Sequence, residues 1–266
     1  MVVIVLLASC TKFIFYPQHD WQLAKEVRPY SHKQFFISAD DGVALSAMRI
    51  VHQGNEMLGA VLFFHGNSGN IGSESRYVYW LSDAGYDVVL VDYRGYGLSQ
   101  GEPNLKLNMG DIVTVSQWFS TNFSDEPRYM LAHSLGASMV GYVMAIHPEL
   151  HEKFNAIILD AGFAGYRRIM RDAMSHDWVL WFLRYPASLG MPDDYDLLDV
   201  VQDISPTPLM IVHGTNDPVV PYCHGLDLYN KAKAPKAFLG YEGVHTDAFE
   251  DAGRRQQVLD FMAQYR

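Results

Sequence analysis

Five short apolar runs punctuate the chain: GAVLFF at 59–64, DVVLVD at 87–92, YMLA at 129–132, NAIILD at 155–160 and PLMIVHG at 208–214. They are continuous rather than alternating, the pattern of strands buried on both faces in a parallel sheet. Between and after them lie stretches with helical character, roughly 71–84, 105–121, 135–147, 222–232 and 250–265. Strand–helix alternation of this kind predicts an α/β fold with a doubly wound, mostly parallel sheet. Ahead of the first run, QFFIS and VALSAMRIV flank Asp40-Asp41-Gly42, a tight-turn sequence, and predict an antiparallel hairpin. Residues 11–33 mix aromatics, prolines and charges without a period and read as an irregular lead-in. The predicted organisation is therefore a leader and lead-in at 1–33 and one domain at 34–266.

Residues 161–207 interrupt the alternation. Tyr166, Met170, Met174, Trp178, Trp181, Phe182 and Tyr185 recur there at three- or four-residue spacing, which predicts an apolar stripe on a short helical insertion. Such a stripe packs the insertion onto the main domain, and its end around Trp178 to Tyr185 is a candidate lining for an apolar pocket. Arg167, Arg168 and Arg171 fall off the stripe and are expected to face water. Pro186 ends the pattern.

Composition narrows the function classes. Apolar residues make up 49% of the 266, enough for a sizeable core, and the formal net charge is −10. A surface of that sign repels phosphate backbones, so nucleic acid is a poor partner. Two cysteines, Cys10 and Cys223, do not make a disulfide framework, and Cys223 reads as a lone thiol at a helix start. No ligand spacing suggests a metal, and no cofactor motif is apparent.

In a doubly wound sheet, ligands bind beyond the carboxyl ends of the strands, so the residues after each run carry the functional signal. His65-Gly66-Asn67 follows the first. Tyr93-Arg94-Gly95-Tyr96-Gly97 follows the second and reads as a structured scaffold loop. His133-Ser134-Leu135-Gly136 follows the third. Its setting, A-x-S-x-G, nearly matches the G-x-S-x-G of a serine on a strained strand-to-helix turn, with Ala132 in the first glycine's place. Asp160 closes the fourth run and reads as a loop or helix cap. Asp217 lies in a proline-stiffened turn after the fifth, and His245 follows the strand-like KAFLGY. His65, His133 and His213 adjoin strand ends and are expected to support the loops.

Ser134, Asp217 and His245 fall in the chain order Ser…Asp…His. With HGN, DYRGYG, HSLG, HGTNDPVVP and a late GVH, the sequence from 34 to 266 resembles the serine α/β-hydrolases, in the small esterase and serine-aminopeptidase-like branch. The resemblance implies Ser134 as nucleophile, His245 as base and Asp217 as the acid that orients it. It implies that the backbone amides of Asn67 and Leu135 form an oxyanion hole, and that the insertion is a cap. The expected activity is hydrolysis of a small-molecule ester of small to medium acyl length, in the class of carboxylesterases, without a cofactor or metal. A lysophospholipid or other lipid, a thioester and an aminoacyl amide are alternatives on the same triad. A non-catalytic binding protein on the same fold is a remote alternative.

The N-terminus adds a location. VVIVLLASC is too short to span a bilayer, which takes about 20 residues. Leu7-Ala8-Ser9-Cys10 resembles a bacterial lipobox, although no Lys or Arg precedes the apolar run as in most signal peptides. It implies lipidation at Cys10 and a membrane-surface protein. Thr11, which is not the aspartate linked to inner-membrane retention, directs the expectation to the outer membrane of a Gram-negative cell. Without such processing the expected location is cytoplasmic.

Overall fold

The computed structural model of the chain describes residues 14–175 and 181–266. The lipobox with Cys10 and, within the stripe, Trp178 lie outside the described residues. The strands are β1 (Tyr16–Pro17), β2 (His32–Ser38), β3 (Ala44–Ile50), β4 (Gly59–Phe64), β5 (Ser68–Gly69), β6 (Tyr86–Val91), β7 (Arg128–His133), β8 (Ala156–Asp160), β9 (Leu209–Gly214) and β10 (Lys236–Tyr241). Eight of them form one sheet in the order β10-β9-β8-β7-β4-β6-β3-β2. The run from β10 to β6 is parallel, while β3 and β2 are antiparallel additions at one edge. This is the mostly parallel sheet expected from the alternation, in the α/β-hydrolase architecture that the resemblance implies.

Every residue of β4, β6, β8 and β9 is buried, which accounts for their unbroken apolar character. Successive side chains serve opposite faces. Leu62, Val89, Met130, Leu159 and Ile211 join the core on one side, and Val61, Val88, Leu131, Ile158 and Val212 that on the other. The helices are α1 (Ile71–Glu74), α2 (Trp80–Asp83), α3 (Leu105–Asn122), α4 (Leu135–Ile146), α5 (Pro148–His151), α6 (Tyr166–Ser175), α7 (Arg184–Ser188), α8 (Leu197–Val200), α9 (Cys223–Lys231) and α10 (Ala252–Gln264). Strand order reverses at β4, which has β6 on one side and β7 on the other. The crevice beyond β4 and β7 is the expected ligand position.

The long helix predicted at 71–84 is instead α1, a 3-10 turn at Ser75–Tyr77 and α2. Ser75 Oγ donates to the Gly72 carbonyl at 2.7 Å, and Tyr77, Val78 and Tyr79 are aromatic or β-branched. Hydroxyls that bond the backbone and side chains that lose rotamers in a helix both favour a break.

The lead-in is less irregular than its composition suggests. β1 pairs in parallel with β5, the Tyr16 amide donates to the Asn67 carbonyl at 2.9 Å, and the Gly97 amide donates to the Gln18 carbonyl at 3.0 Å. Residues 14–24 therefore strap over the loops after β4 and β6 by main-chain bonds, which side-chain periodicity does not report.

Among the described residues the insertion holds α6, a 3-10 turn at Trp181–Leu183, α7, α8 and a 3-10 turn at Val201–Ile204. Its apolar residues do not share one face. Tyr166 is fully buried and Met170 and Met174 are half-buried, whereas Phe182 and Tyr185 are 71% and 57% exposed. The arginines differ from expectation too, because each is half-buried with a partner. Arg167 pairs with Asp193, Arg168 Nη1 meets Asp227 Oδ2 at 2.6 Å, and Arg171 lies over the Tyr185 ring. Asp172 Oδ2 lies 2.8 Å from His224 Nε2, a further tie between α6 and α9.

Candidate functional site

Ser134 stands between β7 and α4 with φ +51° and ψ −117°. A non-glycine residue held at positive φ costs about 1–3 kcal/mol and is tolerated only where its surroundings over-determine it. Here the Ser134 amide donates to the Asp160 carbonyl at 2.8 Å, and α4 begins immediately afterwards. The two small positions of A-x-S-x-G are not equivalent. A Cβ on Gly136 would lie 2.4 Å from the His65 carbonyl oxygen and 2.6 Å from the Tyr93 hydroxyl, so only glycine lets the helix approach. Ala132 sits in register between Phe64 and Leu159, and its methyl is absorbed by the core. The missing glycine therefore leaves the turn intact.

The loops after β9 and β10 bring two distant residues to Ser134. His245 Nε2 lies 2.9 Å from Ser134 Oγ, and His245 Nδ1 lies 2.7 Å from Asp217 Oδ2. The other Asp217 oxygen accepts from the amides of Val219 and Val220 at 2.8 and 2.9 Å. Burial opposes ionisation of Asp217, but the His245 hydrogen bond and charge and the two amides outweigh it and hold the carboxyl below its ordinary range. A carboxylate fixed at both oxygens can hold an imidazole in one tautomer, and that imidazole can accept a hydroxyl proton. His213 supports the acid loop, its Nε2 2.8 Å from the Val220 carbonyl.

Asn67 and Leu135 line a cavity with Ser134, and neither amide donates a hydrogen bond among the described residues. The Asn67 loop is braced by the DYRGYG segment. Tyr96 donates to the Asn67 carbonyl at 2.7 Å, and Tyr93 donates to the His65 carbonyl at 2.8 Å. The buried Arg94 holds that segment through Asp111 at 2.6 Å. This loop is the scaffold expected of it.

Ser134 opens onto two cavities of different character. One, of about 240 Å³, is walled by Phe163, Ile169, Met170, Met191 and Val220, with Ile14 and Tyr16 from the strap. The beginning of the stripe, Tyr166 and Met170, lines it, and from the end expected to line a pocket neither Phe182 nor Tyr185 does among the described residues. The other, of about 220 Å³, is polar and is lined by His245, Asn67, Glu74, Arg76 and Tyr77. The strap residues and Glu74 were missed in the sequence, because neither lies at the end of a long strand.

Asp160 is not a cap. Its side chain is fully buried and lies 3.5 Å from His133 Nε2, with no hydrogen bond to either carboxyl oxygen among the described residues. Burial, aided by the charges of Asp217 and Asp247, pushes its carboxyl well above the ordinary range. Burial likewise pushes His133 down to about 3, with the charges of His245 and His65 adding to it. Both are neutral packing groups beneath the turn. Rings of Phe63, Tyr77 and Phe249 surround His133. Among the described residues, no group of three or more His, Cys, Asp or Glu is placed to hold a metal, and no helix is long and apolar enough to cross a membrane.

Comparison with known proteins adds the family and the fold. A model of the family described as "Serine aminopeptidase, S33" matches residues 55–190. The uncharacterised Escherichia coli protein YfhR is 27% identical over 241 residues, which span 88% of this chain and 81% of that one. The lysophosphatidylserine lipase ABHD12 of Rattus norvegicus is 31% identical over 211 residues, 75% of this chain but only 52% of that protein. Among solved structures, a Pyrococcus furiosus esterase superposes with a TM-score of 0.76 at 17% identity, covering 95% of this chain and 98% of its own. Est1E of Butyrivibrio proteoclasticus, solved with ferulic acid bound, gives 0.67 at 17%, covering 87% and 98%. At such identities the structures share the fold.

Proposed function

The chain belongs to the serine aminopeptidase S33 family of hydrolases, and from that premise we propose that it cleaves carboxylic esters of small to medium acyl length through an acyl-enzyme on Ser134. The observation that carries this reading is the unbroken chain Asp217–His245–Ser134 at the mouth of an apolar cavity. Ser134 Oγ attacks the carbonyl carbon as its proton passes to His245 Nε2. The carbonyl π pair moves onto oxygen, where the amides of Asn67 and Leu135 receive the charge; one such donor is worth about 3 kcal/mol. Collapse expels the alkoxide, which takes the proton from His245. Water then attacks the acyl carbon, gives a proton to His245, and Ser134 departs with that proton as the acid is released.

The cavity favours an alkyl acyl group. At about 240 Å³ it is smaller than the ~300–1,000 Å³ sites that bury a whole drug-sized ligand, and it suits one chain of modest length. Its wall carries no carboxylate among the described residues, so nothing there would receive the ammonium of an aminoacyl substrate. Turnover of p-nitrophenyl acetate, butyrate, octanoate and palmitate below their aggregation limits tests this. We expect kcat/KM to peak at butyrate or octanoate, and a preference for palmitate would reverse the reading in favour of a lipase. The similarity to a lysophosphatidylserine lipase supports a lysophospholipid as the second reading.

Location belongs to the same proposal. Cys10 precedes Ile14 by four residues, a span of at most about 14 Å in extended chain. Lipidation at Cys10 would hold the cavity, which Ile14 lines, close to a membrane surface and its acyl lipids. Labelling with an alkyne fatty acid in a bacterial host should mark the wild type and not Cys10→Ser; equal labelling would remove the anchor.

A further inference from the structure

Glu74 and Arg76 line the polar cavity beside Ser134 and His245. Their placement is built into the fold. Asn70 caps α1 through the amides of Gly72 and Ser73, and the Ile71 amide donates to Asp92 Oδ1 at 2.8 Å, which fixes the turn that carries both residues. Neither is hydrogen-bonded to a side chain of opposite charge among the described residues. Among the described residues, Arg76 has no carboxylate partner; its Nη2 donates to the Tyr77 hydroxyl at 2.7 Å and its guanidinium lies over that ring. Glu74 accepts a hydrogen bond of 3.5 Å from Ser73 Oγ; burial pushes its carboxyl up, and the charges of His65 and Arg76 act against that. Arg76 and Tyr77 also line a second, larger polar groove of about 550 Å³, together with Arg255, Glu26 and Glu250.

An ester bound across Ser134 puts its acyl chain on one side of the carbonyl and its alcohol on the other. The apolar cavity takes the acyl arm, which leaves the polar one for the alcohol. Resting on the acyl-transfer reading above, we propose that this cavity is a leaving-group site selective for an alcohol bearing an anionic group such as a phosphate, held by Arg76, with Glu74 favouring a hydroxyl or ammonium on the same group. A guanidinium braced by an aromatic ring and not hydrogen-bonded to a carboxylate among the described residues suits a phosphate or carboxylate oxygen pair, to which arginine donates in a fork. The device also separates polarities: an alcohol with a net charge is excluded from the apolar cavity, so the ester binds in one direction.

The test compares two esters with the same acyl chain, 1-octanoylglycerol and 1-octanoylglycerol 3-phosphate, below their aggregation limits. We expect wild type to prefer the phosphate ester in kcat/KM, and Arg76→Gln to lower the phosphate-to-neutral ratio by about tenfold or more, mainly through KM. Using the ratio cancels any general loss of activity, and a thermal melt checks folding. Arg76→Lys should retain part of the ratio, because a point charge remains without the fork. Glu74→Gln should lower the preference for the phosphoethanolamine ester over the phosphate ester. No preference in the wild type, or an undiminished ratio in folded Arg76→Gln with 1-octanoylglycerol still hydrolysed, overturns this inference alone. Failure of the wild type to hydrolyse either ester overturns the acyl-transfer reading and this one with it.

Discussion

The hydroxyl of Tyr96 donates to the Asn67 carbonyl at 2.7 Å and accepts from the Tyr16 amide at 3.0 Å. One buried phenol thus joins the loop after β6, the loop after β4 and the N-terminal strap at the residue proposed to stabilise the oxyanion. Tyr96→Phe removes one of two donors to the Asn67 carbonyl and one of two acceptors of the Tyr16 amide, which still bond each other, so the cost in stability should be about 1 kcal/mol. Because Asn67 would be less well fixed, kcat for p-nitrophenyl butyrate should fall about tenfold with KM little altered, less than the ~100-fold or more expected for outright loss of an oxyanion donor. Unchanged kcat would mean that Asn67 is positioned without Tyr96.

Two buried aspartates lie near His245, and the structure separates them. Asp217 is ionised and bonded to His245 Nδ1, whereas burial keeps Asp160 protonated. Asp217→Asn should lower kcat by about 10⁴-fold, because an amide no longer holds the reactive tautomer. Asp160→Asn replaces a neutral acid by an isosteric amide and should cost less than about tenfold. If Asp160→Asn were the more damaging change, the orienting acid would have been misassigned.

Met170 projects from α6 into the wall of the apolar cavity. Met170→Trp should fill part of that space and shift acyl preference toward shorter chains. The expected readout is a fall of at least about tenfold in the octanoate-to-acetate ratio of kcat/KM, in line with the worth of a methylene or two in a fitted pocket. An unmoved ratio would put the acyl chain elsewhere.

His133 sets a pH-dependence of stability. It stays neutral in the folded chain down to about 3, whereas the unfolded chain takes up that proton near 6.5. Between those values the unfolded state binds more protons, so the contribution is fully present above 6.5 and is lost as pH falls toward 3. His133→Asn removes this titration and should show a smaller drop in Tm between pH 7 and pH 4.5 than the wild type. Parallel drops in both proteins would locate the acid sensitivity in other groups.

Ser134 and Asp217 were legible because each follows a contiguous apolar run, and His245 because it follows the strand-like KAFLGY; topology places residues after parallel strands in one crevice. Strand order, and with it which loops meet, was not in the pattern. Ile14 and Tyr16 were hidden because the strap is held by main-chain bonds that leave no periodicity. Tyr96 was legible as scaffold but not as the partner of Asn67. The stripe misled at Phe182 and Tyr185 because the spacing of α6 was carried past its end at Ser175 into a 3-10 turn and a separate short helix, so equal spacing no longer meant a common face.

The central claim is that Ser134 is an activated nucleophile, and a fluorophosphonate reports that state directly because it reacts with a serine whose proton a base can take. Intact-mass spectrometry of the wild type after brief treatment should show one phosphonyl adduct, mapped by peptide sequencing to Ser134. Ser134→Ala should show no adduct and lose at least about 10³-fold of its esterase activity while melting as a folded protein. An adduct on another residue, or Ser134→Ala retaining most of the activity, would contradict the account.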